Sequence, residues 1–92
     1  MDTIATRLRA IVNMAFQARV ANLAGYLGVS GSTVYRWVEG LSTPNPSAMQ
    51  IFMHKGINPH YLHGESDQPW LDNDAGRALA SLVASGRSAL SA

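Results

Sequence analysis

The segment from Gly28 to Gly40, GVSGSTVYRWVEG, combines hydroxyl, phenol and guanidinium side chains with apolar residues at helical spacing. Val34 and Trp37 share one face of a helix over this segment, because residues three or four apart lie on the same side. The outward face carries four polar side chains: Ser32, Tyr35, Arg36 and Glu39. Side chains of these types hydrogen-bond to base edges in the major groove of DNA and to phosphates. The spacing therefore predicts a recognition surface on a helix.

Each of these side chains also has a structural interpretation. Arg36 suits bidentate contact with guanine, contact with a phosphate, or simple solvation. Tyr35 suits a thymine methyl group or a phosphate, but it also suits packing on its own helix. Ser32 is ordinary near the start of a helix, and Glu39 fits either a contact to cytosine or a solvated surface. We assign Trp37 to the core.

The surrounding sequence predicts six helices that position this surface. Apolar residues at intervals of three and four predict a first helix from Thr3 to Gln17 and a second from Arg19 to Leu27. The N-cap residues of the first, third, fourth and fifth helices are expected to be Thr3, Ser30, Asn45 and Asn58, respectively. Asp74 is predicted to cap a sixth helix that runs to about Ser91. No stretch shows sustained alternation with period two, so the sequence predicts an all-α fold.

The sixth predicted helix carries an apolar stripe that the first five helices do not need for their core: Leu79, Leu82, Val83, Gly86 and Leu90. Because a lone helix of this length is marginal in water, we expect the stripe to pair with a second copy, with Gly86 permitting close approach. A frayed end without a partner is the alternative. Residues 65–73 are predicted to be an extended linker with a solitary Trp70, which divides the chain into residues 1–66 and 67–92.

The net charge of +1 hides an uneven distribution. Residues 1–64 contain five basic and two acidic side chains, whereas residues 65–92 contain two basic and four acidic ones. This mild basic excess around the recognition segment permits DNA binding without requiring it. Arg7 and Arg9 are two residues apart on the first predicted helix, so at most one of them is expected to reach a DNA backbone.

Other function classes find little support in the composition. The chain has no cysteine, and its three histidines, His54, His60 and His63, have no carboxylate at ligand spacing, so we expect no metal and no cofactor. No nucleophile–base pair or phosphate-binding glycine loop indicates an enzyme, and no feature indicates a small-molecule ligand. No apolar run approaches the roughly 20 residues of a membrane span, and no secretory signal is seen. The expected location is the cytoplasm of a bacterial host cell.

Two segments together resemble one protein family. LAGYLGVSGSTVYRWVEG, residues 23–40, resembles the helix-turn-helix of the lambda-repressor-like (Cro-type) family, and GINPHYLHGES, residues 56–66, is similar to the fifth helix of its phage repressor group. The resemblance covers Thr3 to about Ser66. It implies a five-helix DNA-binding domain, to which this chain adds a C-terminal sixth helix. Val20 and Gly31 depart from the family, which often has glutamine at the first position and glutamine or lysine at the second.

The resemblance implies a sequence-specific DNA-binding transcriptional repressor of phage or prophage type. It would bind a pseudo-palindromic operator in double-stranded DNA as a homodimer. The base-reading candidates are Ser32, Tyr35, Arg36 and Glu39. The phosphate-binding candidates are Gln17, Arg19, Ser30, Gly31, Ser42, Thr43 and Asn45. The alternative is an antitoxin-like or adaptor helix-turn-helix module that acts mainly through protein–protein interaction, which the acidic, apolar-striped tail after Glu65 would suit.

Overall fold

The structure, a computed structural model, describes residues 3–86, which form six helices. The helices are α1 (Ile4–Ala15), α2 (Val20–Leu27), α3 (Gly31–Val38), α4 (Pro46–His54), α5 (Pro59–Leu62) and α6 (Asp74–Ala84). The part of the chain described contains no strand, and its one antiparallel bridge joins Ile57 to Trp70. The predicted all-α class is therefore confirmed. None of these helices is long and apolar enough to cross a membrane.

The helix starts follow local capping chemistry. Four predicted caps are confirmed, because a side-chain oxygen accepts a first-turn backbone N–H at Thr3, Ser30, Asn45 and Asn58. The prediction for α6 is wrong by one residue. Asn73, in extended backbone, caps the helix by accepting the Gly76 N–H at 2.7 Å, and Asp74 is already the first helical residue. The helix ends at Ala84, earlier than predicted, and the part of the predicted extension beyond residue 86 lies outside the described residues.

The core forms around α1, which contacts α2, α3, α5 and α6. Removing apolar side chains from water is the main favourable contribution to this packing. Each of the six helices contributes a fully buried side chain, and the largest of these side chains are Leu8, Ile11, Val12, Phe16, Leu23, Val34, Phe52, Ile57, Leu62 and Leu79. On α4, Phe52 is fully buried, whereas the next residue, Met53, is 50% exposed.

Tyr26 connects α2 to the end of α4. Its hydroxyl donates a hydrogen bond of 2.7 Å to the Lys55 carbonyl oxygen, and its ring lies 5.2 Å from the Phe16 ring between centroids. The Lys55 ammonium lies 5.4 Å from the centre of the same ring. Partial burial raises the pKa of the Tyr26 phenol above its ordinary value. These contacts hold α2 in a fixed position against α4.

The C-terminal helix belongs to the same core, contrary to the predicted role of its apolar stripe. Leu79 is 2% exposed and Val83 packs against the core, so neither side chain is available to a second copy. Leu82 is half-buried. Gly86 adopts a left-handed conformation (φ 71°) just beyond the end of α6, so it is not part of the helical stripe. Leu90 lies outside the described residues.

The predicted linker is also tied to the fold. Trp70 is half-buried against the core instead of solitary. The Asn58 side chain donates to the Gln68 carbonyl oxygen at 2.9 Å, and the Leu71 N–H donates to the Gly56 carbonyl oxygen at 2.9 Å. The segment before α6 is therefore fixed to the turn between α4 and α5, and this positions α6 so that it packs against α1.

Candidate nucleic-acid interface

The turn between α2 and α3 consists of Gly28, Val29 and Ser30. Gly28 has left-handed backbone angles (φ 75°, ψ 29°), a conformation that glycine adopts without steric cost. Its N–H and the Val29 N–H both donate to the Ala24 carbonyl oxygen, at 2.9 and 3.1 Å. Ala24 is 3% exposed, so a small side chain is needed where the two helices meet. This local geometry makes the chain turn sharply and fixes the orientation of α3 relative to α2.

The buried face of α3 determines what its outward face presents. Val34 is 0% and Trp37 is 7% exposed, and the Trp37 ring lies 5.7 Å from the Phe52 ring at a 55° tilt. Because these side chains are locked in the core, the helix cannot rotate about its axis. All the residues predicted for the outward face are exposed: Gly31, Ser32, Tyr35, Arg36 and Glu39.

The hydroxyl groups at the start of α3 form a small capping cluster. The Ser30 hydroxyl oxygen accepts the Thr33 N–H at 3.2 Å and lies 2.7 Å from the Thr33 hydroxyl. The Ser32 hydroxyl lies 3.3 Å from the same Ser30 oxygen. Ser30 is therefore occupied in capping, while Ser32 is at the edge of the cluster and exposed.

Tyr35 and Arg36 project further from the helix. Tyr35 is 52% exposed. In the part of the chain that the structure describes, neither side chain has a hydrogen-bond or ion-pair partner. A guanidinium and a phenol held on a rigid helix without internal partners retain their full hydrogen-bonding capacity for another molecule.

The arginines of α1 are both engaged by the protein. Arg7 donates to the Ser66 carbonyl oxygen at 3.2 Å, and its guanidinium lies 4.6 Å from the centre of the Tyr61 ring. Arg9 forms an ion pair of 3.2 Å with Glu39. Only Arg9 therefore lies on the side of α1 that meets α3.

Two phosphate-binding candidates, Gln17 and Arg19, lie at the start of α2. Gln17 and the next residue, Ala18, have positive φ angles of 58° and 59°, which are unfavourable for residues other than glycine and end α1 earlier than predicted. Arg19 occupies the N-cap position with extended backbone, and its side chain makes no capping hydrogen bond. Both candidate side chains are exposed, Gln17 in the turn between α1 and α2 and Arg19 at the start of α2, which packs against α3.

The loop after α3 carries the other phosphate-binding candidates. The Leu41 and Ser42 N–H groups donate to the Arg36 carbonyl oxygen at 2.8 and 3.3 Å, which ties the loop to the end of α3. Ser42 is half-buried and Thr43 is exposed. The Asn45 side-chain oxygen is used to cap α4, where it accepts the Ala48 N–H at 2.9 Å.

Sequence reasoning missed the contact between Arg9 and Glu39. The two residues are thirty positions apart, and their contact arises only because α1 packs against α3. No local pattern could have indicated it. Within residues 3–86, no group of three potential ligands could hold a metal ion. Comparison of the chain with protein-family models, curated proteins and solved structures finds no significant match.

Proposed function

We propose that this chain is a sequence-specific DNA-binding transcriptional repressor of phage or prophage type, acting in the cytoplasm of a bacterial host. The observation that carries the proposal is the outward face of α3. Buried Val34 and Trp37 fix this helix in the core, while Tyr35 and Arg36 are exposed and have no partner within residues 3–86. The short turn from α2 supports a helix-turn-helix, in which the second helix enters the major groove.

In the proposed complex, Arg36 contacts guanine through two parallel hydrogen bonds, and Tyr35 contacts a thymine methyl group or a phosphate. Phosphate contacts position the protein without reading sequence. Arg19 and Gln17 supply such contacts at the start of α2, and Thr43 supplies one from the loop after α3. Gly31 has no side chain that could contact a base. Discrimination between DNA sequences therefore depends mainly on Tyr35 and Arg36 in the second turn of α3.

One such helix contacts only a few base pairs, which is too little for the discrimination that an operator requires. We therefore propose a homodimer on a pseudo-palindromic operator, in which each copy places α3 in one half-site. Occupancy of the operator excludes polymerase from the promoter, and no catalytic step is needed.

The proposal is tested by selecting bound sequences from random double-stranded DNA with the full chain alone. We expect enrichment of one motif that appears as two inverted half-sites about one helical turn apart. A single half-site would contradict the homodimer. Absence of any enriched sequence would contradict specific DNA binding and favour the adaptor alternative.

Arg36→Ala is expected to weaken binding to the selected site by about 1–3 kcal/mol, because a bidentate contact to guanine is lost. The preference should relax at one position in each half-site, measured by repeating the selection with the variant. Arg77→Ala is the matched control, since Arg77 is an exposed arginine on α6 that pairs with Asp72 and Asp74. Equal weakening on all sequences would instead make Arg36 a phosphate contact.

Arg19→Ala is expected to reduce affinity equally for specific and random duplexes. Losing one phosphate contact should flatten the plot of log affinity against log salt concentration by about 0.9 units of slope. The measurement is a titration at several salt concentrations, with Arg19→Lys as the variant that retains the charge. An unchanged slope in the alanine variant would remove Arg19 from the phosphate contacts.

A further inference from the structure

The outward face of α3 ends in an ion pair. The Arg9 Nη2 atom lies 3.2 Å from the Glu39 Oε1 atom, and the two side chains are 48% and 41% exposed. Glu39 follows Tyr35 by four residues and Ser32 by seven, so it shares their face of the helix. The carboxylate therefore lies on the surface that the proposed function turns toward DNA.

This pair contributes little to folding, because exposed ion pairs gain little energy in water and are screened by salt. Its larger consequence is electrostatic. The guanidinium of Arg9 would otherwise be an unengaged cation beside α3, as Arg36 is. With Glu39 as its partner, the two charges cancel at this end of the face.

Resting on the proposed function, we propose that Glu39 withholds Arg9 from the DNA phosphates and so limits the sequence-independent part of binding. Releasing Arg9 to a phosphate would leave the Glu39 carboxylate uncompensated beside other phosphates, so the exchange is unfavourable. One sequence-independent contact is thereby removed. Because a phosphate contact strengthens binding to specific and random sequences by about the same factor, its absence lowers both affinities and makes both less dependent on salt.

The test is the salt dependence of binding to a random-sequence duplex, measured with the full chain and with Glu39→Gln, Arg9→Gln and the double variant. Glu39→Gln frees Arg9, so its slope should steepen by about 0.9 units. The double variant should keep the slope of the unmodified chain, because it removes both charges of the pair and Arg9 makes no phosphate contact in the unmodified chain. Arg9→Gln leaves the Glu39 carboxylate unpaired, so its slope should not steepen. Glu39→Gln should strengthen binding to specific and random duplexes by the same factor.

Two results would overturn the inference. A flatter slope in the double variant than in the unmodified chain would show that Arg9 already contacts a phosphate while paired with Glu39. An unchanged slope in Glu39→Gln would show that Glu39 does not keep Arg9 from the DNA phosphates. Thermal melting of each variant confirms that a change in slope does not come from loss of folding.

Glu65→Gln is the matched control for charge. It removes one negative charge, as Glu39→Gln does, but at a distance from Arg9. Glu65 precedes Ser66, which Arg7 contacts, and Arg7 lies about 200° around α1 from Arg9. Its slope should match that of the unmodified chain, and equal steepening in this control would overturn the inference in favour of net charge. Absence of DNA binding by the unmodified chain would overturn the proposed function and this inference with it, whereas the slope results above overturn the inference alone.

Discussion

Replacing Trp37 by alanine is expected to lower the free energy of unfolding by about 3–5 kcal/mol. The side chain is 7% exposed and packs against Phe52 in the core, so its loss leaves a cavity among residues of several helices. A domain of this size has a total stability of about 5–15 kcal/mol, so the variant should be largely unfolded or close to it. Thermal or urea unfolding followed by far-UV circular dichroism measures the change.

Tyr35→Ala is the matched control, because it removes an aromatic side chain from the same helix at a position that is 52% exposed. Its free energy of unfolding should change by about 0.5 kcal/mol or less, as for most surface substitutions. If Trp37→Ala kept its melting temperature and lost only DNA binding, the structural assignment of Trp37 would be wrong.

Gly76→Ala is expected to destabilise the fold by about 3 kcal/mol, the upper end of the range for overpacking. A Cβ atom at Gly76 would overlap the Leu71 carbonyl oxygen and lie 2.7 Å from its carbon. These are backbone atoms, which cannot move aside as a flexible side chain can. The start of α6 would have to shift, and Leu79 would leave its place in the core. Chemical unfolding of the full chain measures the loss.

Gly25→Ala provides the opposite control. Gly25 lies in α2, and a Cβ atom there would meet nothing within 4 Å. Because alanine is the better helix former, this variant should be more stable by about 0.5–1 kcal/mol. If Gly76→Ala and Gly25→Ala were equally stable, the close contact between Gly76 and the Leu71 backbone, which positions the start of α6, would be contradicted.

Local chemistry made much of the fold predictable. Ser30 and Asn45 were identified as caps because a short polar side chain before an apolar helical stripe can satisfy the first-turn N–H groups. The predicted end of the second helix at Leu27 is also local, because the next residue, Gly28, adopts the left-handed conformation without steric cost. Each of these features depends on residues within four positions, so the sequence contains the whole cause.

The error at α6 shows where local reasoning stops. Leu79, Leu82 and Val83 share one face of α6 as predicted, but the sequence did not identify what packs against that face. The packing partner is α1, which is far away in the chain and reaches α6 only because the segment through Trp70 is fixed to the turn at Gly56. The same periodicity suits a second copy equally well, since periodicity specifies a buried face and not what buries it.

At the candidate interface, the sequence by itself determined which side chains share the outward face of α3, because the helical repeat fixes their spacing. Only the tertiary structure decided which of their charges are engaged. Arg36 is left without a partner in the described chain, while Glu39 is neutralised by Arg9 across the contact between α1 and α3. The physical reason is that a helix face follows from spacing along the chain, whereas an ion pair across thirty residues follows from how two helices pack.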